Sequence, residues 1–277
     1  MPVVATNTAA NSALRYLNNN SSMASSSVGK LASGSRIVKA SDDAAGLAIG
    51  TRLKADVTAL TQAGINASQG ASVVQVADGG LSRIGDVLQR MKALTAQSLS
   101  GVPTDTERGF IDAEYQQLKS EITAIADTTR FNGQSLLNGT ATASDYFVGT
   151  DVADTITVNF GTLSSSAAGF TSTLLGITGN VASATGASAS MSAIDRAINL
   201  ISEARATSGA LISRFEFRGQ QIATSLENID AAKSAIMDVD LAAEQSKLVS
   251  SQVLVQAAVS AVSQANQIPQ SLLRVLQ

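Results

Sequence analysis

Two adjacent carboxylates, Asp42 and Asp43, stand in the stretch KASDDAAGLAIGTRL, Lys39 to Leu53, directly before a run of alanine and glycine. Such a pair can serve as an acid/base couple, as half of a metal site, or as a helix cap. A second acidic group, Asp238, Asp240 and Glu244, lies near the other end. The chain contains no His, no Cys and no Trp, which removes the commonest general base, the commonest zinc ligands, the thiol nucleophile and every disulfide. It also lacks the G-x-x-x-x-G-K-[ST], G-x-S-x-G and H-E-x-x-H patterns. Catalysis would rest on carboxylates, lysines and hydroxyls alone, so no enzymatic activity, metal or cofactor is expected. Asp42 and Asp43, preceded by Ser41, are read as cap and junction residues where a turn enters a helix, because carboxylates there meet unpaired N–H groups.

The elements that must hold this junction follow from apolar spacing. Leu14, Leu17, Ser21, Ala24, Val28 and Leu31 recur at alternating steps of three and four, the seam of a helix packed on one other helix, and Gly34 ends it. The pattern resumes at Leu53, Val57 and Leu60 and runs through Leu81, Ile84, Leu88 and Met91 until Pro103 stops it. TDTE, Thr104 to Glu107, has the form of a capping box opening a third helix with Ile111, Tyr115, Leu118, Ile122 and Ile125 on one face. Between Arg130 and Arg196 no Lys or Arg occurs and Gly, Ser and Thr dominate. Alternation at Ile156, Val158 and Phe160 predicts a small β element there. Helical period returns with Ile194, Ile201, Phe215 and Ile222, and again, nearly free of charge, at Leu241, Leu248, Val255, Val259 and Val262.

Because the two ends match in character, the first helix is expected to pair with the last and the second with the second-last. The predicted fold is mainly α, a long antiparallel helical rod or coiled coil with a small β-hairpin region near the tip. Its 277 residues leave room for about two domains. The expected division is 1–40 with 240–277 as a paired terminal domain, 41–139 with 190–239 as a helical rod, and 140–189 as the hairpin and short tip. A net charge of −3 with scattered Lys and Arg gives no basic stripe, so nucleic acid is not an expected partner. Aromatics at 4% suit helices packed through small side chains. No signal-peptide pattern opens the sequence. The stretch from Leu248 to Leu273 is long enough to span a bilayer but carries Ser, Gln and Asn throughout, which argues against a membrane span.

The blocks NTAANSALRYL, GKLASGSRIVKASDDAAGLAIGTRLKADVTAL, NASQGASVVQVADGGLSRIGDVLQRMKALTAQS, TRFNGQSLLNG and SQVLVQAAVSAVSQANQIPQSLL resemble, in order, those of bacterial flagellin. Ala5, Lys92, Ala93 and the final Gln277 depart from the commoner residues of that family. The resemblance implies a structural subunit that polymerises into the extracellular flagellar filament for motility. It implies an inner coiled coil made from both chain ends and, with only about fifty residues between FNGQSLLNG and Met191, a short form without large outer domains. It further implies export through the flagellar type III apparatus, a chaperone holding the C-terminal helix, filament cap and hook-filament junction proteins as partners, and O-glycosylation as an option for the serines and threonines of 140–192.

Self-assembly is expected of Leu14, Leu17, Val28, Leu31, Leu248, Val255, Val259 and Val262, ordered by docking to adjacent copies. By helical spacing Leu94 falls off the stripe of Leu81, Ile84, Leu88, Met91 and Thr95. LQRMKALTAQ is similar to the flagellin segment recognised by the animal Toll-like receptor for flagellin, which implies a recognition set of Gln89, Arg90 and Leu94 with Glu114 on the adjacent helix. The alternatives left open are a hook-filament junction protein and a type III translocator-like, membrane-active protein.

Overall fold

The computed structural model describes residues 7–140, 143–159 and 169–275, with side chains as far as Gln267. Five helices and four short strands follow one another: α1 (Thr8–Ser33), α2 (Ala44–Leu99), α3 (Asp105–Thr128), β1 (Arg130–Phe131), β2 (Gln134–Ser135), β3 (Ser144–Phe147), β4 (Thr155–Val158), α4 (Ala184–Met237) and α5 (Leu241–Val275). The chain forms two compact units, Met1–Val57 with Asn228–Gln277, and Thr58–Glu227. Both boundaries fall inside α2 and α4.

In the first unit α1 packs along α5. Asn7 caps α1, its side-chain oxygen accepting from the Ala10 N–H at 3.0 Å, while its Nδ2 donates to the Ala265 carbonyl at 2.8 Å. Gly34 closes the helix at φ 68°, a left-handed turn that costs glycine nothing. The link out of α1 is zipped to the link into α5. Ser35 bridges Asp238, the Arg36 N–H donates to the Met237 carbonyl at 2.6 Å, and the Val239 N–H donates to the Gly34 carbonyl at 3.1 Å. Asp240 then caps α5 through the N–H groups of Ala242 and Ala243. Leu241–Gln267 is long and apolar enough to cross a membrane by length and composition, although Glu244 and Lys247 lie within it.

The second unit is built on α2, with α3 and α4 running antiparallel to it. Gly64 faces Ile222, Asp78 meets Arg205, Gly85 faces Ile201 and Lys92 meets Asp195, so α2 and α4 stay in register over many turns. Gly70 permits the closest approach: a Cβ there would sit 2.6 Å from Phe215 Cε1 and Cζ. On the other side Arg90 reaches Glu114, and Arg108 Nε donates to the Ser98 carbonyl at 2.9 Å. The capping box is present, with Glu107 Oε2 accepting from the Thr104 N–H at 2.7 Å and Thr104 Oγ1 accepting in return from the Glu107 N–H. Flanked on two sides, α2 buries a broad arc that includes Val73, Val74, Ala77, Leu81, Ile84, Leu88, Met91, Leu94 and Thr95.

The strands pair as two antiparallel hairpins. In β4 the residues alternate outward and inward, with Ile156 and Val158 buried as the spacing predicted; Phe160 lies outside the described residues. The β3–β4 hairpin is held to the helices by Asn66 Nδ2 donating to the Phe147 carbonyl, by Arg218 bonding both the Val148 carbonyl and Asp154, and by Tyr146 meeting the Phe215 ring edge-on. The β1–β2 hairpin was not foreseen, although Asn132–Gly133 between β-formers is its usual signal. Nor was the first part of α4, which begins at Ala184, ten residues before the periodic apolar residues. There Ala187 and Ser190 make the buried face, and side chains that small carry little periodic hydrophobicity.

The glycines of α2 allow a direct test. Gly70→Ala forces its new methyl into the Phe215 ring and is expected to lower stability by about 1–3 kcal/mol. At Gly79 an added Cβ meets nothing within 4 Å, so Gly79→Ala is expected to raise it by about 0.5–1 kcal/mol. Thermal unfolding of the two variants measures both signs.

Candidate assembly interface

Asp42 and Asp43 divide the work assigned to them jointly. Asp43 is the N-cap of α2: its Oδ1 accepts from the Gly46 N–H at 2.8 Å. A Cβ at Gly46 would lie 2.5 Å from Asp43 Oδ2 and 2.7 Å from Ile37 Cδ1, so glycine is what lets the cap seat. Asp42 instead braces the turn before the helix, Oδ2 accepting from the N–H groups of Lys39 and Val38 at 3.0 and 3.1 Å. Those two bonds favour the carboxylate and hold its pKa below the ordinary value. No group of three acidic residues that could hold a metal occurs among the described residues.

The α1–α5 seam is displaced from its predicted line. Its sheltered positions on α1 are Ala10, Ala13, Leu17, Asn20, Ala24, Ser27 and Leu31, and on α5 they are Glu244, Leu248, Ser251, Val255, Ala258, Val262 and Ala265. Both sets keep the three-and-four step of a coiled coil. Leu17, Leu31, Leu248, Val255 and Val262 therefore lie on the seam. Leu14, Val28 and Val259 sit one position away from it and are 43%, 50% and 52% exposed. The shift follows from what the two backbones can accept. Ala13, Asn20 and Ser27 let the helices come close, and the larger Leu14 and Val28 are turned outward, joined there by Tyr16, Met23, Leu241, Val249, Val253 and Leu254. The seam thus mixes small side chains with Leu17, Leu31, Leu248, Val255 and Val262, while other large apolar residues stay exposed.

Glu244 is the exception within this seam, a carboxylate whose side chain is only 8% exposed. Ser27 Oγ donates to its Oε1 at 2.7 Å and Lys247 Nζ lies 3.2 Å from its Oε2. The Ser27 bond, more than Lys247 or the charge of Lys30, keeps its pKa below the usual 4.5. Sequence reasoning grouped Glu244 with Asp238 and Asp240 as junction acids. Its one-turn offset from Leu248 was the available signal that it faces α1.

Gln89 and Arg90 are exposed, and Arg90 is paired with the exposed Glu114 at 2.7 Å. Leu94 does not join them. It is 3% exposed, buried although spacing puts it off the stripe of Leu81, Ile84 and Leu88, because α3 flanks α2 on the side where Arg90 meets Glu114.

Three outcomes follow from this geometry. Asp43→Ala should cost about 1 kcal/mol of thermal stability through the lost cap and leave metal content unchanged; stoichiometric metal lost in the variant would contradict it. Leu94→Ala should cost about 2–5 kcal/mol in thermal unfolding, as a core truncation does. Because the Glu244 pKa is depressed, its stabilisation is present above pH 4.5 and is lost as pH falls through the lowered value. Helicity of α1 and α5 measured against pH should therefore decline in acid, and Glu244→Gln should flatten that decline.

The bacterial flagellin N-terminal helical region matches residues 4–142, and the bacterial flagellin C-terminal helical region matches residues 191–276. The flagellar filament 33 kDa core protein of Treponema phagedenis is 34% identical over 274 residues, covering 95% of this chain and 96% of that protein. A flagellin of Halalkalibacterium halodurans is 36% identical over 89% of each chain. The crystal structure of Bacillus cereus flagellin superposes with a TM-score of 0.50 at 28% identity, over 61% of this chain and 94% of that one. A putative flagellar hook-associated protein from Vibrio parahaemolyticus reaches a TM-score of 0.56 at 14% identity, over 71% of this chain and all of that one, and so shares the fold alone. Matches over nine-tenths of the chain at such identities place it in the bacterial flagellin family, whose members are structural proteins.

Proposed function

We propose that the outward apolar face of the α1–α5 pair is where this filament subunit meets its neighbours. A structural subunit of the flagellar filament must bind copies of itself, and the observation that carries the assignment is that Leu14, Val28, Val253, Leu254 and Val259 stay exposed beside a seam in which Ala, Ser and Asn outnumber Leu and Val. Burying a Leu or Val contributes about 1.5–3 kcal/mol, whereas ordering each residue costs about 1–2 kcal/mol. A pair sealed mainly by Ala, Ser and Asn gains little on its own. Its outward residues gain when adjacent copies cover them, and the terminal helices draw their order from that contact. Seam residues Leu17, Leu31, Leu248, Val255 and Val262 hold the pair together, and Leu14, Val28 and Val259 join it to other subunits.

Export by the flagellar type III apparatus, a chaperone on α5, and cap and junction proteins at the filament ends accord with this reading. Identity to flagellins across nearly the whole chain favours a filament subunit over a hook-filament junction protein. Gln89, Arg90 and Glu114 form the surface to which recognition by the animal Toll-like receptor for flagellin is assigned, with Leu94 supporting it from within.

Deleting 1–33 or 248–277 should leave the second unit folded and unable to polymerise. Leu14→Ser with Val28→Ser and Val259→Ser should leave the α1–α5 seam intact yet block filament growth from seeds. Electron microscopy reads filament length and circular dichroism reads the fold. Long filaments from the triple variant would overturn the outward face as the interface.

A further inference from the structure

The sequence holds the dipeptide Asn-Gly twice, at Asn132–Gly133 and Asn138–Gly139, and the structure gives the two copies unlike surroundings. Asn132 and Gly133 form the two-residue loop between β1 and β2, both at positive φ, 49° and 80°. Both are exposed, a Cβ added at Gly133 would meet nothing within 4 Å, and the Asn132 side chain makes no hydrogen bond among the described residues. The hairpin that carries them pairs only Arg130 with Ser135 and Phe131 with Gln134, too short a ladder to be rigid by itself.

Asn138 is held instead. Its Oδ1 accepts from the Thr140 N–H at 3.1 Å and from Thr140 Oγ1 at 2.6 Å. The backbone nitrogen that would have to move is also covered, since a Cβ at Gly169 would lie only 2.6 Å from Gly139 N. The other asparagines for which a small residue follows, such as Asn11 and Asn66, lie within helices, where the next N–H is committed to the backbone ladder.

We propose that Asn132 is a self-modification site, at which the Gly133 backbone nitrogen attacks the side-chain carbonyl carbon of Asn132. The new N–C bond closes a five-membered succinimide as the C–N bond of the side-chain amide breaks. The leaving nitrogen departs as ammonia, taking up the proton lost from the Gly133 amide. Water then opens the ring at either carbonyl, leaving aspartate or isoaspartate at position 132. No oxidant, metal or enzyme is needed. Glycine at 133 matters twice, because it has no side chain to obstruct the attack and because its positive φ costs nothing. The isoaspartyl product adds a methylene to the backbone of a two-residue loop and puts a carboxylate on it. The Arg130–Ser135 and Phe131–Gln134 register then no longer closes, and the Leu136 N–H bond to the Thr129 carbonyl is loosened beside it.

The test is incubation of the full chain in mildly alkaline buffer, followed by peptide mass mapping and an isoaspartyl methyl-acceptance assay. Asn132 should convert at least about tenfold faster than Asn138 in the native protein, a difference of about 1.4 kcal/mol in barrier, and at a similar rate in denaturant. Asn132→Ser should abolish methyl acceptance at position 132 and leave the slow reaction at Asn138 unchanged. Hydrogen exchange at Leu136 should quicken in converted protein. Equal native rates at the two sites, or conversion of Asn132 only in denaturant, would overturn the proposal.

Discussion

Everything in the first unit depends on how closely α1 and α5 approach. Two helices joined through alanine, serine and asparagine sit near enough for Ser27 to bond Glu244 and for Asn7 to reach the Ala265 carbonyl. Leu17, Leu31, Leu248, Val255 and Val262 still fit on the seam, while Leu14, Val28 and Val259 do not. They turn outward, and a helix pair that would be sealed by leucines in a self-sufficient bundle becomes one with an apolar exterior. Exposed apolar surface of this kind is a liability in an isolated chain. The zipped links at Ser35 and Asp238 hold the C-terminal end of α1 in step with the start of α5.

The second unit solves the opposite problem. Here α2 has partners on two sides, and glycines at 64, 70 and 85 set the spacing while Phe215, Ile222 and Ile201 fill it. Large residues go inside because the glycines make space for them. Exposed ion pairs such as Arg90–Glu114 and Lys92–Asp195 add register more than stability, since solvent screens them. A core of this kind is filled from within its own unit, which also carries two small hairpins.

Helix type, number and antiparallel pairing were legible from the sequence because they rest on periodicity and capping, both local. Thr104 with Glu107, Gly34 after α1 and the acids before α2 each act within a turn or two of where they stand. The family was legible for the same reason, since most of its blocks fall on the helices. Less of the interface was legible. Leu14, Val28 and Val259 were counted with Leu17 and Leu248 because a three-and-four step fits either of two adjacent lines on a helix. Only the distance between the two backbones chooses the line.

The sequence by itself thus determined the helices, the ends marked by Gly34 and Thr104, and the absence of imidazole and thiol chemistry, all of which follow from residue identity and short-range geometry. Tertiary structure alone decided which face of each helix is inside. It drew Glu244 out of the junction and into the seam, and buried Leu94 between helices. Those outcomes depend on how many partners a helix has and how near they come, quantities that no window of residues along one chain contains.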